Sequence, residues 1–249
     1  MDLIFYDGTH SVTFGNKNSW TDWHLVPLSK TVIPPPAVKT KQVDMPGCHG
    51  SFDLSTVLTG YPLFNNRTGS IGFILAPGFD DWNTIKTTVM EYLHGQRMNL
   101  YLDDDPGYYY NGVFFVNDLK SDARTNSLTV SYDLYPFKKE IVASNEDWLW
   151  DPFNFEIGII RDWSEITVSG SKVLTISDCP EPVTIKITSN ANMTLVHAFY
   201  AYDGTPKSKS YTIVSGQIDA PGPILKPGVN TLTFTGNGKI GINYRGGRL

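Results

Sequence analysis

Ser127-Leu-Thr-Val-Ser-Tyr132 sets Leu128, Val130 and Tyr132 on one parity and Ser127, Thr129 and Ser131 on the other. A period of two places the apolar set on one face of an extended strand and the polar set on the other. Related runs lie on both sides: Val113-Phe-Phe-Val116 upstream, and Lys172-Val-Leu-Thr-Ile-Ser177, Val183-Thr-Ile-Lys-Ile-Thr188, Thr231-Leu-Thr-Phe-Thr235 and Lys239-Ile-Gly-Ile-Asn-Tyr244 downstream. Turn-forming residues separate them at Ser189-Asn-Ala-Asn192, Asp203-Gly204, Lys226-Pro-Gly228 and Gly236-Asn-Gly238. Short, half-polar strands divided by turns predict antiparallel sandwiches rather than βαβ units.

One segment departs from the period of two. Trp82, Ile85, Val89 and Leu93 recur at helical spacing between Asp80 and Gly95. Asp81 is placed to cap the N-terminus and Gly95 the C-terminus, with His94 in the last turn, where positive charge suits the helix dipole. Asp53-Leu-Ser-Thr-Val-Leu-Thr-Gly60 reads as a second short helix or a turn.

The 249 residues are 41% apolar and 18% charged, enough for a substantial core and too aromatic for disorder. A net charge of −5 argues against a protein whose main partner is a phosphate backbone, so no sequence-specific nucleic-acid binding is expected. Cys48 and Cys179 are far apart and outside any metal spacing, and read as buried free thiols, with a bridge between them as the alternative. Met1-Asp2-Leu3-Ile4-Phe5-Tyr6-Asp7 lacks the basic and apolar regions of a signal peptide, and no run is long enough for a membrane helix. These features lead to the expectation of a soluble chain made in a cytoplasm.

A domain boundary is expected between Ser144 and Pro152, where Ala143-Ser-Asn-Glu-Asp147 gives way to Trp148 and Trp150 and a new series of strands. Residues 1–149 carry 11 basic and 17 acidic side chains, or −6, whereas 150–249 carry 9 and 8, or +1. The acidic excess therefore lies in the first half.

No nucleophile elbow, phosphate loop, zinc motif or dinucleotide fingerprint is present. His10, His24, His49, His94 and His197 never fall at a ligand spacing, and no metal or cofactor is implied. Asp103-Asp-Asp105 could form a hard-cation site or paired catalytic carboxylates. The following Pro106-Gly107, between aromatic strand-like runs, favours a turn. Tyr108-Tyr-Tyr110 reads as core rather than a sugar platform. Asn66-Arg-Thr68 and Asn192-Met-Thr194 match the glycosylation sequon by chance in a chain without a secretory signal.

Ordered motifs run through the chain: Trp20-Thr-Asp-Trp23-His-Leu25; Val43-Asp-Met-Pro46-Gly47-Cys-His-Gly50; Asp53-Leu54-Ser55; Leu58-Thr-Gly60; and Phe64-Asn-Asn66-Arg67-Thr-Gly-Ser-Ile-Gly-Phe73. They continue in Leu93-His94-Gly95, Asp104-Asp-Pro-Gly-Tyr-Tyr-Tyr110, Leu134-Tyr135-Pro136-Phe-Lys138, Leu225-Lys-Pro-Gly-Val-Asn230 and Ile242-Asn-Tyr244-Arg245-Gly246-Gly-Arg-Leu249. In order and spacing this series resembles the distal tail protein (Dit) family of siphophages and related prophages. The resemblance implies a mainly β chain of two domains. The first, 1–147, is a ring-forming β-sandwich-like domain with one α-helix at about 80–95; the second, 148–249, is a galectin-like β-sandwich. It further implies a non-enzymatic hexameric hub at the tail tip, between the tail-tube protein and the tail-tip protein. The second domain would dock baseplate or receptor-binding components.

Within that resemblance Gly47, Gly50, Gly60 and Gly95 suit turns or caps, and the Arg67 fork is expected to hold Asp53 or another carboxylate. Thr31-Val-Ile-Pro-Pro-Pro36 cannot be a central strand, because proline removes ladder donors. It is either an arm between subunits or a plain surface loop. Six copies would bring about −36 to the ring-forming domains, an acidic wall from which DNA is repelled. The alternative function is a carbohydrate-binding module for host recognition, and a glycan-cleaving enzyme has only loose carboxylates in its favour. Asn243-Tyr-Arg245 matches part of the galectin sugar motif, but Gly241 stands where its histidine belongs and no tryptophan follows. Protein docking is therefore preferred to sugar binding.

Overall fold

The computed structural model describes residues 10–79, 81–121, 125–147 and 162–249. Asp80, Trp148, Trp150, the Met1–Asp7 segment and the start of the expected second domain lie outside them. The described residues are mainly β with a single helix, as two β-sandwich-like units. By their internal packing the units are Met1–Ala37 with Phe64–Lys138, and Val38–Leu63 with Lys139–Leu249.

The first unit contains β1 (Val12–Phe14), β2 (Lys17–Asn18) and β3 (Leu25–Pro27). Residues 38–63 hold β4 (Gln42–Asp44) and β5 (Ser51–Asp53). The first unit resumes with β6 (Arg67–Leu75), α1 (Trp82–Leu93), β7 (Arg97–Leu102), β8 (Tyr108–Ser121) and β9 (Asn126–Leu134). Its strands form one antiparallel path, β2-β1-β7-β8-β9-β6-β3. The parity read from Ser127–Tyr132 is the parity of burial: Leu128, Val130 and Tyr132 are buried and Ser127, Thr129 and Ser131 are not. Against this face α1 lays Trp82, Val89 and Leu93, with Ile85 half-buried. Phe14 meets Phe114 edge-on at 5.2 Å in the centre of that core.

The ends of α1 differ in chemistry from the sequence expectation. Asp81 occupies the N-cap position but makes no side-chain cap hydrogen bond. Gly95 does terminate the helix, at φ +75°, a conformation that a Cβ would strain. His94 is the C-cap residue, and its Nδ1 accepts a hydrogen bond from the Val116 N–H at 3.2 Å.

β10 (Lys138–Glu140), which begins on the last residue of the first unit, pairs with β17 (Gly247–Arg248). Between them come β11 (Ile166–Cys179), β12 (Val183–Ser189), β13 (Met193–Tyr200), β14 (Pro206–Ile213), β15 (Gln217–Leu225) and β16 (Gly228–Asn243). The six-stranded sheet runs β14-β13-β16-β12-β15, with β11 also on β16. Ile185, Leu195, Leu232, Phe234 and Ile242 are fully buried in its core.

Gly236-Asn-Gly238 is not the turn the sequence suggested: β16 runs straight through it, paired with β11. The glycines are there for room. A Cβ at Gly236 would lie 2.8 Å from Met193 Cγ, and one at Gly238 would lie 2.6 Å from Ala191 Cβ. Cys179 is buried, but Cys48 is exposed, in the turn between β4 and β5; neither is in a disulfide.

Candidate assembly surface

Residues 38–63 form an arm. Its two legs are held by backbone hydrogen bonds from Asn65 N–H to Ala37 O, Lys39 N–H to Leu63 O and Leu54 N–H to Lys41 O, each 2.8 Å. Farther out β4 and β5 pair, with Gln42 opposite Asp53, Val43 opposite Phe52 and Asp44 opposite Ser51. Pro46, Gly47 and Gly50 lie in the turn between them, Gly47 and Gly50 at positive φ. Asp53-to-Gly60 is a pair of turns rather than a helix, with Val57 N–H on Leu54 O and Gly60 N–H on Thr56 O.

This hairpin is amphipathic, and among the described residues no layer covers it. The cross-strand pair Val43 and Phe52 shares one face, and Gln42, Asp44, Ser51 and Asp53 share the other. Phe52 is 54% exposed and Leu58 97%, and Met45, Leu54 and Val57 are exposed as well. Among the described residues β4 and β5 have no third strand. An isolated two-stranded ribbon is marginal in water, so such a ribbon gains stability when its apolar face is covered. The alternation on either side of Met45-Pro-Gly47 carries the two faces of the ribbon in the sequence, whereas the exposure of the apolar one is a property of the fold.

Arg67 corrects a second expectation. Asp53 is not its partner: the Asp53 carboxylate accepts from Ser55 N–H at 2.8 Å, and the Ser55 side chain, together with that N–H, holds its pKa below the ordinary range. Arg67 is buried at the start of β6. It donates from Nε to Pro136 O at 2.6 Å and from Nη1 to Pro34 O at 2.8 Å, and its guanidinium lies 5.5 Å from the centre of the Tyr110 ring. Burial lowers its pKa, with Tyr110 and Tyr132 opposing. Beside it Asn66 and Tyr135 are exposed, Pro136 is buried, and Phe64 meets Phe137 edge-on at 5.6 Å.

Asp103, Asp104 and Asp105 occupy the turn between β7 and β8, as expected. Each carboxylate has its own partner: Ser11 Oγ on Asp103 at 2.5 Å, His10 Nδ1 on Asp104 at 2.6 Å, and Lys138 Nζ on Asp105 at 2.6 Å. Burial works to raise the Asp104 pKa, but hydrogen bonds from His10 and Lys30 hold it down. The three acids are thus drawn toward different neighbours and do not converge on one point.

The remaining motif residues support the fold from inside. Trp23 and Leu93 are core. Tyr244 packs on Trp163 at 5.7 Å and its N–H donates to Ser144 Oγ. Arg245 donates to Glu140 O, Ile141 O and the Glu146 carboxylate, and Gly246 N–H donates to Glu140. The partial galectin motif is therefore spent on the chain itself. Gly60, at φ +73°, closes the last turn of the arm.

No protein-family model matches the sequence, and no curated protein matches it. A solved structure does. The crystal structure of SPP1 Dit (gp 19.1), described as a paradigm of the hub adsorption apparatus in phages infecting Gram-positive bacteria, superimposes with a TM-score of 0.56. The match covers 95% of this chain and 99% of that one, at 13% identity. The chain has a Dit-like fold. That Dit-like fold spans both units, so the resemblance read from the ordered motifs and the likeness of the backbones extend over the same length of chain.

Proposed function

We propose that this chain is a distal tail protein, a structural hub that forms a hexameric ring between the tail tube and the tail-tip or baseplate proteins. Residues 1–147 build the ring, and 148–249 dock further baseplate or receptor-binding components. On this reading the protein is assembled in the host cytoplasm, ends in the virion tail tip, and performs no catalysis. The observation that carries the proposal is the arm: an amphipathic ribbon with its apolar face uncovered suits a part completed by a neighbouring copy. The Dit-like fold over nearly the whole chain supports it. The commitment of Arg245 to Glu140, Ile141 and Glu146 speaks against a galectin-type sugar site.

Native mass spectrometry tests the proposal, on the chain alone and mixed with tail-tube and tail-tip subunits of the same phage. A species of six times 27.8 kDa, alone or carrying partners, is the expected result. A chain that stays monomeric in every mixture overturns it.

A further inference from the structure

The way β13 and β14 pair fixes what β14 offers on its far side. Ala201 N–H donates to Thr205 O at 2.8 Å, and that pair extends the β13–β14 register, in which His197 faces Lys209 and Tyr200 faces Pro206. Bonded pairs alternate along an antiparallel ladder, so Phe199–Lys207, His197–Lys209 and Leu195–Tyr211 are bonded. Pro206, which has no N–H, falls in the unbonded set, as it must. The backbone N–H and C=O groups of Ser208, Ser210 and Thr212 therefore point away from β13, and among the described residues no strand lies on that side. The strand keeps one register over its whole length. At the other end of the path the edge is blunted, since β15 carries Pro221 and Pro223 and its register against β12 is broken by shifts.

Charge says what the β14 edge accepts. Lys207 and Lys209 stand across from Phe199 and His197, on the face that carries the core, while Ser208, Ser210 and Thr212 stand on the other. Both lysines are exposed, and neither enters an ion pair among the described residues. Asp203, at the tip of the hairpin, gives its carboxylate to Thr205 N–H at 2.9 Å. Lys226 adds to the same field: behind burial, Lys226 and Lys209 both help to lower the pKa of His197. Two β14 edges paired antiparallel about Ser208 would set Lys207 of each against Lys209 of the other, so the strand resists a copy of itself. We propose that β14 is a docking edge for an extended segment of a partner protein that carries carboxylates at every second residue. The segment adds a strand, its backbone taking up the outward groups of Ser208, Ser210 and Thr212 and its carboxylates meeting Lys207 and Lys209. The inference rests on the docking role proposed for 148–249, and adds the place and the partner's chemistry.

The test uses the full chain with two synthetic peptides, one alternating threonine with glutamate and one alternating threonine with lysine. With the glutamate peptide about tenfold above its dissociation constant, the amides of Ser208, Ser210 and Thr212 should exchange about 10-fold more slowly, in proportion to the fraction left unbound. The Ile218 amide on β15 should hold. The double variant Lys207→Glu/Lys209→Glu changes only exposed positions; it should bind the glutamate peptide about 10-fold more weakly or worse and take the lysine peptide instead. Ser210→Pro removes an outward donor without breaking a bond to β13, and should also weaken the glutamate peptide; the double variant supplies the reading if S210P does not fold. No slowing at Ser208, Ser210 and Thr212, equal slowing by both peptides, or equal binding of the glutamate peptide by wild type and the double variant overturns the inference. Native mass keeps it apart from the hub. Protection of β14 in a chain that never forms a ring leaves the docking edge and overturns the hub; a ring that forms while β14 stays unprotected leaves the hub and overturns the edge.

Discussion

Replacing Phe52 by serine removes the largest apolar side chain of the arm without touching either core. Phe52 is 54% exposed, and with a side chain of about 200 Å² some 100 Å² waits for a partner. At roughly 25 cal/mol per Å² that area is worth about 2.5 kcal/mol when covered, and serine recovers little of it. We expect association to weaken by about 2 kcal/mol per interface, roughly 30-fold, and a closed ring to amplify the loss because every interface carries it. Unfolding of the isolated chain should change by less than about 0.5 kcal/mol, since the position is exposed and belongs to neither core cluster. Sedimentation equilibrium over a concentration series measures the first quantity and urea unfolding of dilute monomer the second. Undiminished association would refute the assignment of the arm. A loss of monomer stability above about 1 kcal/mol would show that Phe52 serves its own chain instead.

Other outcomes follow from single sites. Gly112→Ala should destabilise the first unit by about 3 kcal/mol or more, because its Cβ would lie 2.3 Å from Asp133 O and 2.7 Å from Leu134 Cα, both backbone; thermal unfolding reads this. His197, 1% exposed, has its pKa lowered by burial, against the pull of its Asn230 hydrogen bond and with the help of Lys226 and Lys209. Below about pH 6.5 the unfolded chain therefore takes up a proton that the folded one refuses. The His197 contribution is full above that pH and declines as pH falls, by at most about 1.4 kcal/mol per unit; urea midpoints at stepped pH should show this slope and His197→Gln should flatten it. A thiol reagent should modify Cys48 at once and Cys179 only on unfolding, since one is exposed and the other buried; rapid labelling of both in the native protein would contradict the fold.

Much of the fold could be read directly from side-chain periodicity. Leu128, Val130 and Tyr132 alternate because a sheet with one buried face demands it, and Trp82, Val89 and Leu93 repeat because a helix on that face demands something else. Glycine was harder to read, since it serves both reversal and close approach. At Gly95 it ends a helix; at Gly236 and Gly238 it makes space beside Met193 and Ala191 within a continuous strand. Arg67 was misjudged for a related reason. Carboxylates are visible in a sequence as candidate partners, whereas the carbonyls of Pro34 and Pro136 are invisible there, because every residue has one. The arm was half legible: Val43 and Phe52 alternate like any sandwich strand, and a sequence pattern does not say whether its apolar face is covered.

The position of β16 has a consequence for how the second unit comes into being. One strand, Gly228–Asn243, pairs with β13 through 230–236, with β12 through 240–243, and with β11 along most of its length. The centre of the sheet is therefore among the last of its segments to be synthesised. Until residue 243 has cleared the ribosome, β11, β12 and β13 lack the strand that joins them, so the sheet closes only once its last long strand is available. A truncation that removes β16 would take away the keystone rather than an edge, leaving soluble or aggregated chain but no partial sandwich.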